Sequence, residues 1–143
     1  MAETTIEIPI ACINSMDNPQ LLSKKGPIAP VAVLSGILGA KATPSILPLC
    51  HPLPLTNCTV DVGELLAHSD THMHVRITVT ASSSHSTGVE MEALMGACTA
   101  ALAIYDMLKA LSHDMVITRT RLLHKSGGKR TFDAEPDGPS AAQ

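Results

Sequence analysis

Ten residues, Ile46 to Leu55 (ILPLCHPLPL), hold three prolines. No helix interior or central strand tolerates that density, because each proline lacks a backbone N–H and biases the residue before it away from helical angles. The segment is predicted to be a rigid extended connector, and the rest of the chain must be built around it. Before it, Thr4 to Ala11 (TTIEIPIA) alternates apolar and polar residues as a half-buried strand does, with Pro9 suggesting a sheet edge. Asn14 to Gly26 is turn-rich, and Pro30 to Lys41 (PVAVLSGILGAK) is predicted as a helix opened by Pro30 and broken by the following ATPS.

After the connector, Thr56 to Leu65 and His74 to Ser82 alternate as two strands, with the polar stretch Ala67 to His72 as their hairpin turn. Thr87 is the expected cap of a long helix reaching about Leu111, with Glu90 three residues on as in a capping box. Met115 to Leu123 (MVITRTRLL) is a further strand. The order strand, helix, strand, strand, helix, strand predicts an α+β chain of the ferredoxin-like kind, an antiparallel sheet with helices packed on one face.

The 143 residues suit one domain, expected over 1–132, with a flexible tail over 133–143 that is rich in Pro, Gly, Ser and Ala. Trp is absent and Phe and Tyr occur once each, so the core must be Ala, Leu, Val, Ile and Met. Small side chains bury little area per residue, which makes oligomerisation a natural supplement. A net charge of -3 speaks against a nucleic-acid or membrane-surface role, which needs a basic face. The apolar stretches are expected to be interrupted well short of membrane length. Four scattered cysteines without a CxxC pair read as reduced thiols, and the first twenty residues hold no Lys or Arg, so a cytoplasmic location is expected.

Several residues could carry chemistry, and each has a plain alternative. Lys125, Gly127, Gly128 and Lys129 (in KSGGK) could turn amides and charge toward a phosphate, or form a solvated turn. Asp106 and Lys109 share a helix face one turn apart, either as a surface ion pair or as a proton-handling pair. Glu92 lies fourteen residues before Asp106, about 20 Å along a helix axis. If both are functional, one compact site must draw them from two protomers. His51 stands between Cys50 and Pro52 on the rigid connector, a frame that suits an aimed histidine, though a packed turn histidine fits equally. His68, His72 and His74 resemble a metal cluster by count, but sit at a predicted hairpin tip. Met91, Met95 and Met107 read as core fillers. No metal site is expected.

The order and spacing of KKGPI, GILGAKAT, ILPLCHPLPLTNCTVDV, STGVEMEALMGACTAALAIYDMLKA and MVITRTRLLHKSGGK resemble the MoaC family from Lys24 to about Lys129. That resemblance implies a ferredoxin-like subunit, a hexamer built as a trimer of dimers, and active sites at subunit interfaces. It implies a lyase of molybdenum cofactor biosynthesis that rearranges 3',8-cyclo-7,8-dihydroguanosine 5'-triphosphate to cyclic pyranopterin monophosphate with release of pyrophosphate. No redox cofactor is implied, while the triphosphate can carry Mg²⁺. Carried over by motif, Lys25, Asp106 and Lys109 are the catalytic residues. Leu49, Cys50, His51, Met91 and Glu92 contact substrate, and Lys125 faces phosphate.

The chain departs from the family pattern in three places. It lacks the usual MVDV-like opening and its phosphate-reaching arginine, Pro27 replaces the acid of KGD, and Val33 and Ala42 stand where basic residues are usual. The competing reading is a non-catalytic nucleotide- or pterin-binding module, or an impaired paralogue. The presence of Lys25, Asp106 and Lys109 together favours the enzyme.

Overall fold

A computed structural model describes residues 1–15, 22–23, 26–127 and 130–135. The main elements are β1 (Ala2–Pro9), α1 (Ile10–Asn14), β2 (Leu22–Ser23), β3 (Gly26–Pro27), α2 (Ile28–Ile46), β4 (Asn57–Ala67), β5 (His72–Ser82), α3 (Glu90–Leu108), β6 (Val116–Leu122), β7 (His124–Lys125) and β8 (Phe132–Asp133). The principal sheet runs β4-β5-β1-β6 and is antiparallel throughout, with β2-β3 and β7-β8 as two small ribbons. The helices α2 and α3 pack together and against this sheet, α2 over β4 and α3 over β1, β5 and β6. This is the expected ferredoxin-like arrangement.

Alternation explains the layering. In β1, Ala2, Thr4, Ile6 and Ile8 are buried and meet Val75, Ile77 and Val79 of β5 beneath the helices. Glu3 and Glu7 take the opposite face. Glu3 is nevertheless buried, because Nε of Arg121 donates to its Oε1 at 2.8 Å and Arg76 stands 3.6 Å from Oε2. The buried Thr4 hydroxyl lies 2.8 Å from the Thr120 hydroxyl. Opposite Thr4 the register slips by one residue, and Arg119 takes a left-handed φ of 54°, as a bulged residue does.

The helix pair is close because its contact residues are small. A Cβ added at Gly96 would sit 3.0 Å from the Gly36 carbonyl oxygen, and one at Gly39 would lie 2.3 Å from Thr99 Oγ1. Gly36 faces Gly96 and Ala100 while Ala40 faces Gly96, so the two helices run antiparallel.

Four expectations are corrected. Pro9 does not mark an edge: β1 lies between β5 and β6, and the proline is tolerated as the strand's last residue. The ATPS run does not stop α2, which begins at Ile28 and continues through Pro44 to Ile46. There Pro44 sits in the last turn, where a lost N–H disturbs little of the ladder, and the Thr43 hydroxyl donates to the Gly39 carbonyl at 3.2 Å. Thr87 is not the cap of α3; Val89 is, and no side chain caps that helix, which ends at Leu108. Finally, the apolar stretches are not short: α2 and α3 are each 19 residues and apolar enough by length and composition to span a membrane, but they serve as packed helices on the sheet. The 47–56 connector is free of helix and strand, as its prolines require. Strand pairing reaches Asp133, the first residue of the expected tail, and 136–143 lie outside the described residues.

Candidate active site

Antiparallel α2 and α3 give the helical layer two chemically different ends. One end carries the start of α2 and the finish of α3. There Asp106 and Lys109 stand one turn apart, with Lys109 Nζ donating to Asp106 Oδ1 at 2.7 Å, both side chains about half exposed. The hydrogen bond from the ammonium to the carboxylate, reinforced by its charge, holds the Lys109 pKa above the usual lysine value. In the isolated chain this pair is therefore an ammonium next to a carboxylate, a group that donates protons. Gly26–Pro27 leads into α2 at this same end, with Gly26 at φ 110°. Lys25, which precedes it, lies outside the described residues.

The other end carries the finish of α2, the proline connector and the start of α3. The connector is tied down by Ser83 Oγ, which donates to the Pro54 carbonyl at 3.0 Å, and by the Thr56 N–H to the Ser82 carbonyl at 2.8 Å. Leu49 is 92% exposed, Cys50 is half-buried and His51 is exposed. The first turn of α3 holds Met91 on the surface and Glu92 buried, and its acids Glu90 and Glu92 suit the positive end of the helix dipole.

Beside this turn lies a hollow of about 370 Å³ whose lining includes Ser83, Thr87, Glu90, His124, Lys125 and Gly127. Lys125 enters it from β7 and forms an ion pair with Glu90. That bond, outweighing partial burial, depresses the Glu90 pKa below the usual carboxylate range. His124 is steadied by Asp133, with Nδ1 2.7 Å from Oδ1. Gly127 takes φ 79°, a conformation that glycine adopts at no steric cost, so the first glycine of KSGGK does turn the backbone as its sequence implied. Gly128 and Lys129 lie outside the described residues.

Of the candidate residues, the chain thus gathers Leu49, Cys50, His51, Met91, Glu92 and Lys125 at one end. It leaves Asp106 and Lys109 at the other, about 20 Å away along α3 from Glu92. Glu90 was legible only as a capping partner; its link to Lys125 joins residues 35 apart in sequence and leaves no local signal. His68 and His74 meet edge to face with ring centres 5.4 Å apart at the hairpin. Among the described residues, no group of three or more His, Cys, Asp or Glu is placed to hold a metal ion.

A family model described as the MoaC family matches residues 1–128. A "Cyclic pyranopterin monophosphate synthase" of Xanthomonas campestris pv. campestris (strain B100) is 44% identical over 133 residues, covering 93% of this chain and 78% of that protein. A "Molybdenum cofactor biosynthesis protein 1" of Drosophila melanogaster is 43% identical over 134 residues, 94% of this chain but 23% of that longer protein. A "Molybdenum cofactor biosynthesis bifunctional protein" of Synechocystis sp. (strain ATCC 27184 / PCC 6803 / Kazusa) is 33% identical over 136 residues, 95% of this chain and 39% of its own length.

Proposed function

Since the chain belongs to the MoaC family, we propose that it is a cyclic pyranopterin monophosphate synthase, a lyase of molybdenum cofactor biosynthesis. Its substrate on this reading is the cyclised guanosine derivative 3',8-cyclo-7,8-dihydroguanosine 5'-triphosphate, and its products are cyclic pyranopterin monophosphate and pyrophosphate. The observation that carries it is the 44% identity to a synthase of that name over 93% of this chain, with Lys25, Asp106, Lys109 and Lys125 all present.

The chemistry asks for two services. Opening the purine five-membered ring with water requires protons to be delivered and removed at nitrogen and carbon. Asp106 and Lys109, already sharing a proton-bearing hydrogen bond, are the residues suited to it, with Lys25 as a further acid or base. Closing the cyclic phosphate and expelling pyrophosphate moves negative charge onto phosphoryl oxygens, which Lys125 beside the turned Gly127 backbone can stabilise. Leu49, Cys50 and His51 on the tethered connector, together with Met91 and Glu92, would hold the base and sugar. Lys109 works as a base only where neighbouring positive charge lowers its pKa, which Lys25 and Lys125 brought near it would supply.

The working form on this reading is a cytoplasmic homo-oligomer, a hexamer of three dimers, without a redox cofactor and with any Mg²⁺ arriving on the triphosphate. The test is direct: incubation with the cyclised triphosphate should release pyrophosphate and the cyclic phosphate in equal amounts. Binding without either product would leave only a ligand-binding module.

A further inference from the structure

Lys125 shares the hollow beside α3 with a histidine to which the synthase reading gives no task. The strands β7 and β8 pair in the register His124↔Asp133, which puts these two side chains on one face of the ribbon. His124 Nδ1 lies 2.7 Å from Asp133 Oδ1, so strand pairing has brought together residues nine apart in sequence. A carboxylate can only accept a hydrogen bond, so Nδ1 is the donor, and proton exchange is left to Nε2 on the other edge of the ring. A carboxylate placed in this way orients an imidazole and stabilises its charged form, as proton-transferring histidines require.

His124 lines the hollow together with Lys125, Glu90, His85 and Met1. Lys125 is matched by Glu90, and the Met1 ammonium donates to the His124 carbonyl at 2.7 Å, not to the ring. At about 370 Å³ the hollow falls within the range of small-molecule sites, roughly 300–1,000 Å³. Closing a cyclic phosphate asks more of such a place than positive charge. Pyrophosphate departs with both electrons of a phosphorus–oxygen bond, and an acid that titrates near neutral pH assists it by giving that oxygen a proton. Imidazole ordinarily titrates there, whereas a lysine ammonium ordinarily does not.

Resting on the synthase reading above, we propose that His124 is a catalytic acid for the departing pyrophosphate and that Asp133 is its positioning residue. In this step a substrate hydroxyl oxygen bonds to the α-phosphorus, and the bond from that phosphorus to the bridging oxygen breaks. The electron pair leaves with pyrophosphate, whose oxygen takes the Nε2 proton of His124. The hydroxyl proton, released as the cyclic phosphate closes, returns to the imidazole through water, so the histidine ends as it began.

Pyrophosphate release by His124→Gln, followed in a single turnover, should fall by about 10² to 10⁴-fold. Helix content and melting temperature should be unchanged, because the His124 and Asp133 side chains are 41% and 73% exposed. Asp133→Asn should lose activity at a lower pH than wild type, since the carboxylate that favours the imidazolium is gone, and Asp133→Glu should restore the profile. Release by His124→Gln within a few-fold of wild type overturns the acid, and an unmoved pH profile in Asp133→Asn overturns the positioning role. Titration of the wild type with inorganic pyrophosphate needs no turnover: the imidazole proton resonance of His124 should move. If a variant misfolds, that titration is read alone. Should the wild type release no pyrophosphate, the synthase reading falls, and the resonance then decides for His124: movement keeps it at a phosphate site, and stillness overturns it.

Discussion

Asp106 Oδ1 accepts a hydrogen bond from Lys109 Nζ at 2.7 Å, on the last turn of α3, with both groups open to solvent. That contact holds the Lys109 pKa above the usual lysine value, so the resting form of Lys109 is the ammonium.

Lys109→Ala should therefore remove turnover without removing the fold. The side chain is about half exposed and packs into no core, so helix content, mass and melting temperature should match the wild type. Pyrophosphate release should fall by about 10² to 10⁴-fold if the lysine transfers a proton. Turnover within a few-fold of wild type would remove Lys109 from the chemistry.

Glu92→Gln and Asp106→Asn variants, each inactive alone, should regain part of their activity when dissociated and reassembled together. The two residues lie about 20 Å apart on one helix, so a mixed assembly contains some interfaces with both groups intact. A mixture that stays inactive at every ratio would assign Glu92 and Asp106 to separate roles within one chain.

Glu90 is predicted to make acid stability depend on Lys125. Its folded-state pKa is depressed by the Lys125 hydrogen bond, so its contribution is fully present above the ordinary carboxylate value and is lost as pH falls through the depressed one. Denaturation curves of wild type and Glu90→Gln, compared from about pH 7 down to about pH 3, should converge toward the acid end. A constant difference across that range would show that the ion pair contributes nothing.

Gly39→Ala should destabilise by about 1–3 kcal/mol through overpacking. The added Cβ would lie 2.3 Å from Thr99 Oγ1 and 2.6 Å from Thr99 Cβ, and the Thr99 hydroxyl is engaged with the Met95 carbonyl at 2.7 Å. Thr99 cannot swing aside without breaking that bond or moving α3 away from α2. An alanine variant as stable as wild type in urea would mean that the helices separate at no cost.

Much of the fold was legible because it rests on local periodicity. Alternation in TTIEIPIA and HVRITVTAS, and a largely apolar run from Glu90 with almost no helix breaker, mark strands and a helix whichever neighbours they find. Ends were less legible. Pro44 and Thr87 carry strong local signals that the helices override, since packing of Thr43 and Ala93 into the core outweighs a missing N–H or an unused cap. Pro9 misled for the same reason: which strands flank β1 is decided by pairings with β5 and β6 far along the chain.

The sequence by itself determined which residue types are available for proton transfer and phosphate binding, and the proline frame that holds Leu49, Cys50 and His51. Only the tertiary structure decided how they are shared out. Strand order and antiparallel helix packing through Gly36, Gly39 and Gly96 send Lys125 to Glu90 and keep both from Asp106. Spacing along a chain fixes distance only within one rigid element; across elements, distance is set by which surfaces bury one another.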